Sequence, residues 1–387
     1  MNINSDLCIK CRGIKHLCGL DPCPLFKYSM PLNQRLDYYS GPSPPDIFVG
    51  RFSYPRVNVY TLAGNFSNLS NLYPKKLDEI LSLRTSLYRV GETLNIKKIG
   101  KIGEKMVEIS LSEKNVEIEA DVKRIENSLL FGRESAPAGP KIIVKNLDYS
   151  GELKIPKKIE YITGDYDLSA VEGIDILYSD NFDLDYIRRI FSSGSLGRPV
   201  ERKLVPTRWA ITAIDDIVGK KLIETIKDFG SAYDIIFAYG EYMWNRFYIF
   251  IFPGRWSFEM VENWYGTARD IDPLKNGDFE DFYGRKDYAR NIGGAYYAAR
   301  LSVLEYMKNN GISGSVFIYR EIGGEYRIPL GVWVIRDTVK YAMKNAAHTN
   351  LKDIEGFRAI PEYIIKIIKK SRTYRKNFMQ KRLEFYG

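Results

Sequence analysis

Histidine is nearly absent from this sequence, since only two of its 387 residues are histidines. This scarcity removes most histidine-based catalysis and most histidine-rich metal sites from consideration. A hydrophobic run long enough to cross a bilayer is also missing, and the amino terminus lacks the basic and apolar segments of a secretory signal. From these absences we expect a soluble protein of the cytoplasm.

Cysteine is missing from the whole chain except for one stretch, CIKCRGIKHLCGLDPC, which holds all four. Four thiolates on so short a segment can surround one tetrahedral zinc ion, and Gly13, Gly19 and Pro22 supply turns that bring the ligands together. We therefore predict a zinc module over residues 1–27, in which protein ligands fill every position and the zinc is structural. Two disulfides or an iron–sulfur cluster are the alternatives. The predicted ligands are Cys8, Cys11, Cys18 and Cys23.

Basic residues are unevenly distributed along the chain. The net charge is +9, and residues 366–387 hold eight basic residues and one acidic residue. That segment accounts for +7 of the charge, which leaves about +2 for the other 365 residues. We predict a flexible basic tail that contacts an acidic or phosphate-rich partner, with a merely solubilising role as the alternative.

The hydrophobic pattern predicts an α+β protein. Strands joined by short turns and interrupted by separate helices favour mixed, largely antiparallel sheets over a doubly wound parallel sheet. A Gly- and Asp-rich loop near residue 270 indicates a boundary between two lobes. The predicted organisation is a zinc module (1–27), an amino-terminal lobe (28–270), a carboxy-terminal lobe (271–365) and the basic tail (366–387).

Several local predictions concern individual segments. Thr207 and the apolar positions after it predict a helix that ends at Gly219. The acidic segment 175–185 predicts an exposed loop, and residues 316–337 predict strands around a Gly-Gly turn. Residues 103–123 fit either a helix or a hairpin.

A cluster of cations beside a tryptophan is the predicted nucleic-acid-binding surface. Cationic side chains next to an indole can contact phosphates and stack on an unpaired base. The alternative is that the tryptophan lies partly in the core and that the last arginine pairs with an acidic residue. The cluster comprises Arg198, Arg202, Lys203, Arg208 and Trp209.

Motifs of the common hydrolases are also missing, since the chain has no P-loop, nucleophile elbow or HExxH. A metal-dependent nuclease or base-processing enzyme would need carboxylates that converge on Mg²⁺. The sequence offers candidates without a recognisable spacing, so catalysis stays an open alternative, as does a role on RNA or the ribosome. The candidate carboxylates are Asp46, Asp148, Asp175, Asp180, Asp215, Asp216 and Glu305.

The chain ends in QKRLEFYG, which has the pattern of a sliding-clamp docking peptide. One helical turn would place Leu383 and Tyr386 side by side as an apolar plug, and Gln380 would enter a polar pocket. Such peptides usually end in two adjacent aromatics, whereas here Phe385 comes one position early. The predicted clamp contacts are therefore Gln380, Leu383, Phe385 and Tyr386, with an accidental match as the alternative.

The combination of both termini resembles the archaeal Nre family of DNA repair proteins. Three interior blocks strengthen the likeness, namely PTRWAITAID (206–215), GGAYYAARLSVLEYM (293–307) and PLGVWVIRD (329–337). The resemblance implies a DNA repair role at the sliding clamp PCNA in an archaeal cytoplasm, close to the nucleoid. It also implies a zinc site at the four cysteines and a long amino-terminal region followed by a shorter carboxy-terminal one. It implies no particular reaction.

Overall fold

The computed structural model describes residues 5–11, 15–20, 23, 36–64, 72–130, 136–264, 275–326, 328–349 and 360–379. The chain divides into two compact units. Unit 1 comprises Met1–Ile217 and Arg327–Gly331, and unit 2 comprises Val218–Tyr326 and Val332–Gly387. The division thus falls between residues 217 and 218, whereas the sequence indicates a boundary near 270. Among the described residues, no helix has the length and apolar character needed to cross a membrane.

A six-stranded sheet with the order β1-β5-β6-β4-β3-β2 forms the centre of unit 1. Its neighbouring strands are antiparallel except for β4 and β6, which are parallel. This mixed sheet agrees with the predicted α+β class. The strands are β1 (Tyr38–Ser43), β2 (Phe48–Val49), β3 (Arg56–Ala63), β4 (Tyr88–Asn95), β5 (Val116–Glu126) and β6 (Lys141–Ser150).

One face of this sheet carries the core of unit 1. In β5 the residues from Val116 to Val122 alternate between buried apolar and exposed charged side chains, as a strand with one solvated face requires. Met106 and Ile109 of helix α3 are fully buried in the same cluster, so the ambiguous segment 103–123 is a helix followed by a strand. The helices of unit 1 are α1 (Ser5–Cys11), α2 (Leu77–Ser86), α3 (Gly100–Ser110), α4 (Lys157–Gly164), α5 (Ala170–Ser179) and α6 (Leu184–Ser192).

The acidic segment 175–185 is not the predicted loop, because it holds the end of α5 and the start of α6. Two of its acidic residues stabilise α6, one by capping the helix and one by ion pairing. The Asp183 side chain accepts a hydrogen bond from the backbone N–H of Asp185 and so caps α6. Asp185 also forms an ion pair with the buried Arg188, whose guanidinium binds Asp46 at 2.8 Å.

Helix α7 (Thr207–Lys227) continues eight residues beyond its predicted end at Gly219. The glycine is required by packing, since a Cβ atom at Gly219 would lie 3.0 Å from the guanidinium of Arg300. Thr207 is the first residue of the helix, as predicted. Its hydroxyl accepts a hydrogen bond from outside the helix, from the backbone N–H of Val49 at 2.9 Å. This bond fixes the amino end of α7 against β2.

Unit 2 contains a second six-stranded sheet with the order β11-β10-β13-β9-β8-β14. Only β10 and β13 run parallel in it, and β7 pairs with β12 in a separate parallel ladder. The strands are β7 (Gly230–Ser231), β8 (Ile235–Tyr242), β9 (Asn245–Phe252), β10 (Ser257–Trp264), β11 (Gly277–Glu280), β12 (Ile312–Ser313), β13 (Ser315–Ile322) and β14 (Ala347–Thr349).

The prediction of strands over 316–337 is right for β13, but its last residues, from Trp333 onward, begin helix α9. The buried residues Ile335, Val339 and Ala342 of this helix recur at helical spacing. The apolar spacing over 293–311 predicts a helix that Gly311 ends, and α8 does end before Gly311, which has a positive φ. The helices that lie wholly in unit 2 are α8 (Gly294–Asn309), α9 (Trp333–Lys344), α10 (Glu362–Lys370) and α11 (Arg372–Tyr374).

The first part of the predicted flexible tail is folded. Helices α10 and α11 and a π-helical turn (Arg375–Met379) carry the chain from residue 362 to 379. Their buried residues Ile364, Ile368 and Tyr374 join the apolar cluster on the sheet of unit 2. The buried Glu259 accepts hydrogen bonds from the backbone N–H groups at residues 372 and 373, at 3.2 and 2.7 Å. The prediction of a flexible tail is therefore wrong over 366–379, whereas the amphipathic helix that the sequence EYIIKIIKK also predicts is formed as α10.

Candidate nucleic-acid interface

The predicted cation cluster lies in unit 1, along the segment that leads into α7. Arg198 precedes a 3₁₀ turn (Pro199–Glu201), and Lys203 and Arg208 follow it. All three side chains are exposed. Exposed cations near the start of a helix are well placed for phosphate groups, which bind without regard to base sequence.

Arg202 is held by two backbone carbonyl groups. Its Nε donates to the carbonyl oxygen of Gly197 at 2.7 Å, and its Nη2 donates to that of Asp165 at 3.1 Å. The side chain is half-buried, whereas Arg198, which donates to the carbonyl oxygen of Asp167 at 3.4 Å, is exposed. Arg202 therefore helps to hold the segment before α7 in place.

Trp209 lies at the surface, with 46% of its side chain exposed. About half of the indole is therefore covered, which agrees both with the predicted stacking surface and with the alternative of a tryptophan that lies partly in the core. The ring of Tyr54 lies beside it, with the two centroids 5.5 Å apart and the planes tilted by 46°. The two rings form an exposed aromatic pair, since 43% of Tyr54 is exposed as well.

Tyr54 belongs to the β2–β3 loop, which the sequence analysis did not single out. Phe52 in this loop is 70% exposed, and the guanidinium of Arg51 lies 5.1 Å from its ring centroid. Ser53 has a left-handed backbone with φ of +65°, which places the neighbouring aromatics at the loop tip. The sequence signal was the run RFSYPR, two arginines that flank two aromatics. We name Arg51, Phe52, Tyr54, Arg56, Arg208 and Trp209 the aromatic–basic surface.

The four cysteines are all described, and none forms a disulfide. Cys11 and Cys23 are buried, Cys8 is half-buried and Cys18 is exposed. Burial first, and then the thiols of Cys23, Cys11 and Cys18, raise the pKa of Cys8 to about 11. The four sulfurs thus interact, and as a donor set they suit zinc. In the described part of the chain, however, no three His, Cys, Asp or Glu side chains converge as a metal site requires.

The candidate nuclease carboxylates are dispersed over separate elements of the fold. Asp148 forms an ion pair with Lys105 at 3.3 Å, and Asp180 forms one with Lys158 at 2.8 Å. Asp46 is bound by Arg188, as described above. Among the described residues, no three of these carboxylates are grouped as a metal site requires.

A polar cavity of ≈ 150 Å³ lies within unit 2. Its carboxylates hold the protein together, since Asp278 accepts hydrogen bonds from the backbone N–H groups of Asn291 and Ile292 and pairs with Arg285 at 3.1 Å. Glu259 binds the start of α11, and burial raises its pKa. We assign these groups a structural role. The lining residues are Glu259, Gly277, Asp278, Phe279, Arg285, Asn291 and Arg372.

The predicted clamp contacts Gln380, Leu383, Phe385 and Tyr386 lie outside the described residues. The described chain ends at Met379, immediately after the π-helical turn. The docking peptide therefore begins at the point where the described fold of unit 2 stops, and its role stays a prediction.

Exposed cations beside exposed rings are features of proteins that bind nucleic acids. Comparison with known proteins identifies the family. The chain belongs to the archaeal Nre family, because residues 17–269 match the model of the Nre amino-terminal region and residues 280–386 match that of the carboxy-terminal region. The resemblance drawn from the sequence is thereby confirmed.

Three curated relatives are similar over most of their length. The chain is 36% identical over 356 residues to DNA repair protein NreA of Archaeoglobus fulgidus, which covers 87% of this chain and 88% of the relative. It is 32% identical over 367 residues to DNA repair protein NreB of the same organism, covering 90% and 92%. It is 30% identical over 353 residues to DNA repair protein NreA of Haloferax volcanii, covering 84% and 83%. No solved structure matches.

Proposed function

We propose that this protein is a DNA repair factor that the sliding clamp recruits through residues 380–386 and that binds DNA with its body. The observation that carries the proposal is the similarity to curated DNA repair proteins along nearly the whole chain. The exposed cations around the start of α7 support DNA binding. The basic residues of α10 and α11 add a structured positive face, since Lys366, Lys370 and Arg372 are exposed.

The DNA-binding part of the proposal predicts a specific salt dependence. Each phosphate that a cation neutralises releases counterions, and this changes the slope of log affinity against log salt by roughly 0.7 to 0.9. The triple variant Arg198→Ala, Lys203→Ala, Arg208→Ala should therefore bind DNA more weakly, with a slope shallower by roughly 2 to 3. Fluorescence anisotropy of a labelled oligonucleotide at several salt concentrations measures both quantities.

The matched control for this experiment removes three exposed lysines elsewhere in unit 1, Lys101, Lys114 and Lys157. This control has the same change in net charge but leaves the cluster intact, so its slope should change by less than about 1. Equal slopes for the two triple variants would show that the cluster is not the phosphate-binding surface. Arg202 is left unchanged in both variants because it supports its own loop.

For the cysteine module we propose a structural zinc ion held by Cys8, Cys11, Cys18 and Cys23. A zinc ion would stabilise the four thiolates, which the burial of Cys8 otherwise disfavours, and would fix a segment too short to fold on its own core. Protein purified without chelator should contain one zinc per chain by inductively coupled plasma mass spectrometry, and Cys8→Ser with Cys11→Ser should contain none. A wild-type protein with an acid-labile iron–sulfur chromophore, or with no metal and two disulfides, would contradict the assignment.

A further inference from the structure

We propose that the aromatic–basic surface of unit 1 binds an unpaired DNA strand, so that the protein recognises single-stranded segments such as gaps and flaps. This inference rests on the proposed function, because it assumes that the protein binds DNA. It adds the form of the DNA and a binding element, the β2–β3 loop, that the predicted cation cluster does not include.

The first support is the exposure of large rings at one place in the fold. Phe52, Trp209 and Tyr54 are 70%, 46% and 43% exposed. These residues come from two segments more than 150 positions apart in the chain, and the hydrogen bond from Val49 to Thr207 ties the segments together. Apolar rings that remain in water on a fixed support are ready to bind a flat ligand without further folding.

The second support is the charge around these rings. Arg51 lies against Phe52, Arg208 precedes Trp209 in the chain, and Arg56 is exposed at the start of β3. The sequence contains no acidic residue from 47 to 62 or from 202 to 214. Both segments are therefore purely cationic, which favours a polyanion over a protein or peptide of mixed charge.

The surface continues from the loop onto the outer face of the sheet. Phe48 of β2 is 37% exposed and stacks on Tyr60, with the ring centroids 6.4 Å apart and the planes only 13° from parallel. Lys141 and Arg89 lie 5.0 and 5.4 Å from the centre of the Tyr60 ring. Burial raises the pKa of Tyr60 to about 12, so its ring stays neutral beneath these cations. Tyr60 and Arg89 are only 3% and 8% exposed, so they support this patch from below, and Phe48 and the half-buried Lys141 are the groups that a strand can reach.

The choice between one strand and two follows from the chemistry of the rings. Bases in a duplex stack on each other and present only their edges in the grooves, so an exposed phenyl or indole ring gains little from them. An unpaired base offers its π-face, and each base stacked on an aromatic side chain contributes binding that alanine substitution reveals. Phosphates of the same strand would meet the guanidinium groups of Arg51, Arg56 and Arg208.

The test compares single-stranded and duplex DNA of the same length and sequence, by fluorescence anisotropy with the full-length protein. Wild type should bind the single strand more tightly. Phe52→Ala and Trp209→Ala should each weaken single-strand binding by roughly five- to a hundredfold, and should change duplex binding by less than about twofold. Both rings are exposed, and circular dichroism should show that both variants fold as wild type does.

Two further variants make the result specific. Tyr38→Ala removes a ring of unit 1 that is 49% exposed but lies on β1, at the edge of the sheet opposite β2, and it should leave binding unchanged. Trp209→Phe keeps a stacking ring, so it should restore most of the affinity that Trp209→Ala loses. In addition, the single strand should quench the fluorescence of wild type more than that of Trp209→Phe, because a stacked base quenches an indole.

The outcomes separate this inference from the proposed function. If duplex DNA binds as tightly as single-stranded DNA, or if Phe52→Ala and Trp209→Ala bind the single strand normally, the inference fails while DNA binding stands. If neither form binds at low salt, the DNA-binding part of the proposed function fails as well. If an RNA of the same sequence binds more tightly than the DNA strand, the surface is an RNA site and the inference is wrong.

Discussion

Arg300→Met is expected to lower the free energy of unfolding of unit 2 by about 3 to 5 kcal/mol. Arg300 of α8 is 1% exposed, and its Nη1 lies 2.7 Å from Oε2 of Glu280, a side chain that water does not reach. The rings of Tyr296 and Tyr297 lie 5.8 and 5.3 Å from the guanidinium carbon. Methionine would fill much of the same space, but the carboxylate of Glu280 would stay in the core without its cation. The cost comes from that uncompensated charge.

Urea denaturation followed by circular dichroism measures this loss, and Lys366→Met is the matched control. Lys366 also pairs with a glutamate, Glu362, at 2.8 Å, but the two side chains are 69% and 80% exposed. Its removal should cost less than about 1 kcal/mol because water screens the pair. A loss for Arg300→Met as small as that of the control would contradict the expectation that Glu280 is charged in the folded protein.

A second substitution identifies the cause of the loss. In the double variant Arg300→Met, Glu280→Gln no buried charge remains, so part of the stability that Arg300→Met loses should return. If the double variant is less stable than Arg300→Met, the loss arises from packing around the guanidinium. In that event Gly219 and the two tyrosines, rather than the ion pair, determine the stability of this region.

The sequence predicted long periodic elements well and short windows poorly. Helix α8 was found because its apolar positions extend over four turns and a glycine follows it. The segment 316–337 predicts strands up to its end because it holds only the first residues of α9, and the helical spacing becomes clear only at Val339 and Ala342. Gly219 was read as a helix end, although its contact with Arg300 is a tertiary feature that no local rule reveals.

The charge pattern was misleading in a different way. A run of lysines and arginines after residue 366 is typical of a solvated tail, but isoleucines at helical spacing within it bury one face of α10. The anchor at Glu259 lies more than 100 residues away, so the sequence alone cannot connect the two. The same holds for Tyr54 and Trp209, which meet because β2 binds the start of α7.

Because residues 362–379 are folded, only a short length of chain separates unit 2 from the proposed docking peptide. Leu383 follows the last described residue, Met379, by four positions, and an extended chain spans at most about 3.6 Å per residue. If Leu383 anchors a clamp, at most about 14 Å of chain separates that anchor from the end of the π-helical turn. A clamp bound there would lie close to the basic face of α10 and α11, which could at the same time face the DNA that the clamp encircles.

The double variant Leu383→Ala, Tyr386→Ala is expected to weaken binding to the sliding clamp of the same organism by at least a hundredfold. Anchor residues of such short peptides each contribute about 2 kcal/mol or more, because a large apolar side chain fills a preformed pocket. Two anchors together account for about 4 kcal/mol, and 1.4 kcal/mol corresponds to a factor of ten in affinity. Isothermal titration calorimetry with the full-length protein measures the loss.

The matched controls test which aromatic is the anchor and whether charge matters. Phe385→Ala should cost much less than Tyr386→Ala if the spacing from Gln380 determines the anchor, and the reverse order would assign the anchor to Phe385. Lys381→Ala with Arg382→Ala should mainly slow association and reduce its salt dependence, since peripheral charges steer the encounter. Unchanged affinity in the Leu383→Ala, Tyr386→Ala variant, with a normal circular dichroism spectrum, would show that QKRLEFYG is an accidental match. The DNA-binding surface that we propose on unit 1 would then have to reach its substrate without the clamp.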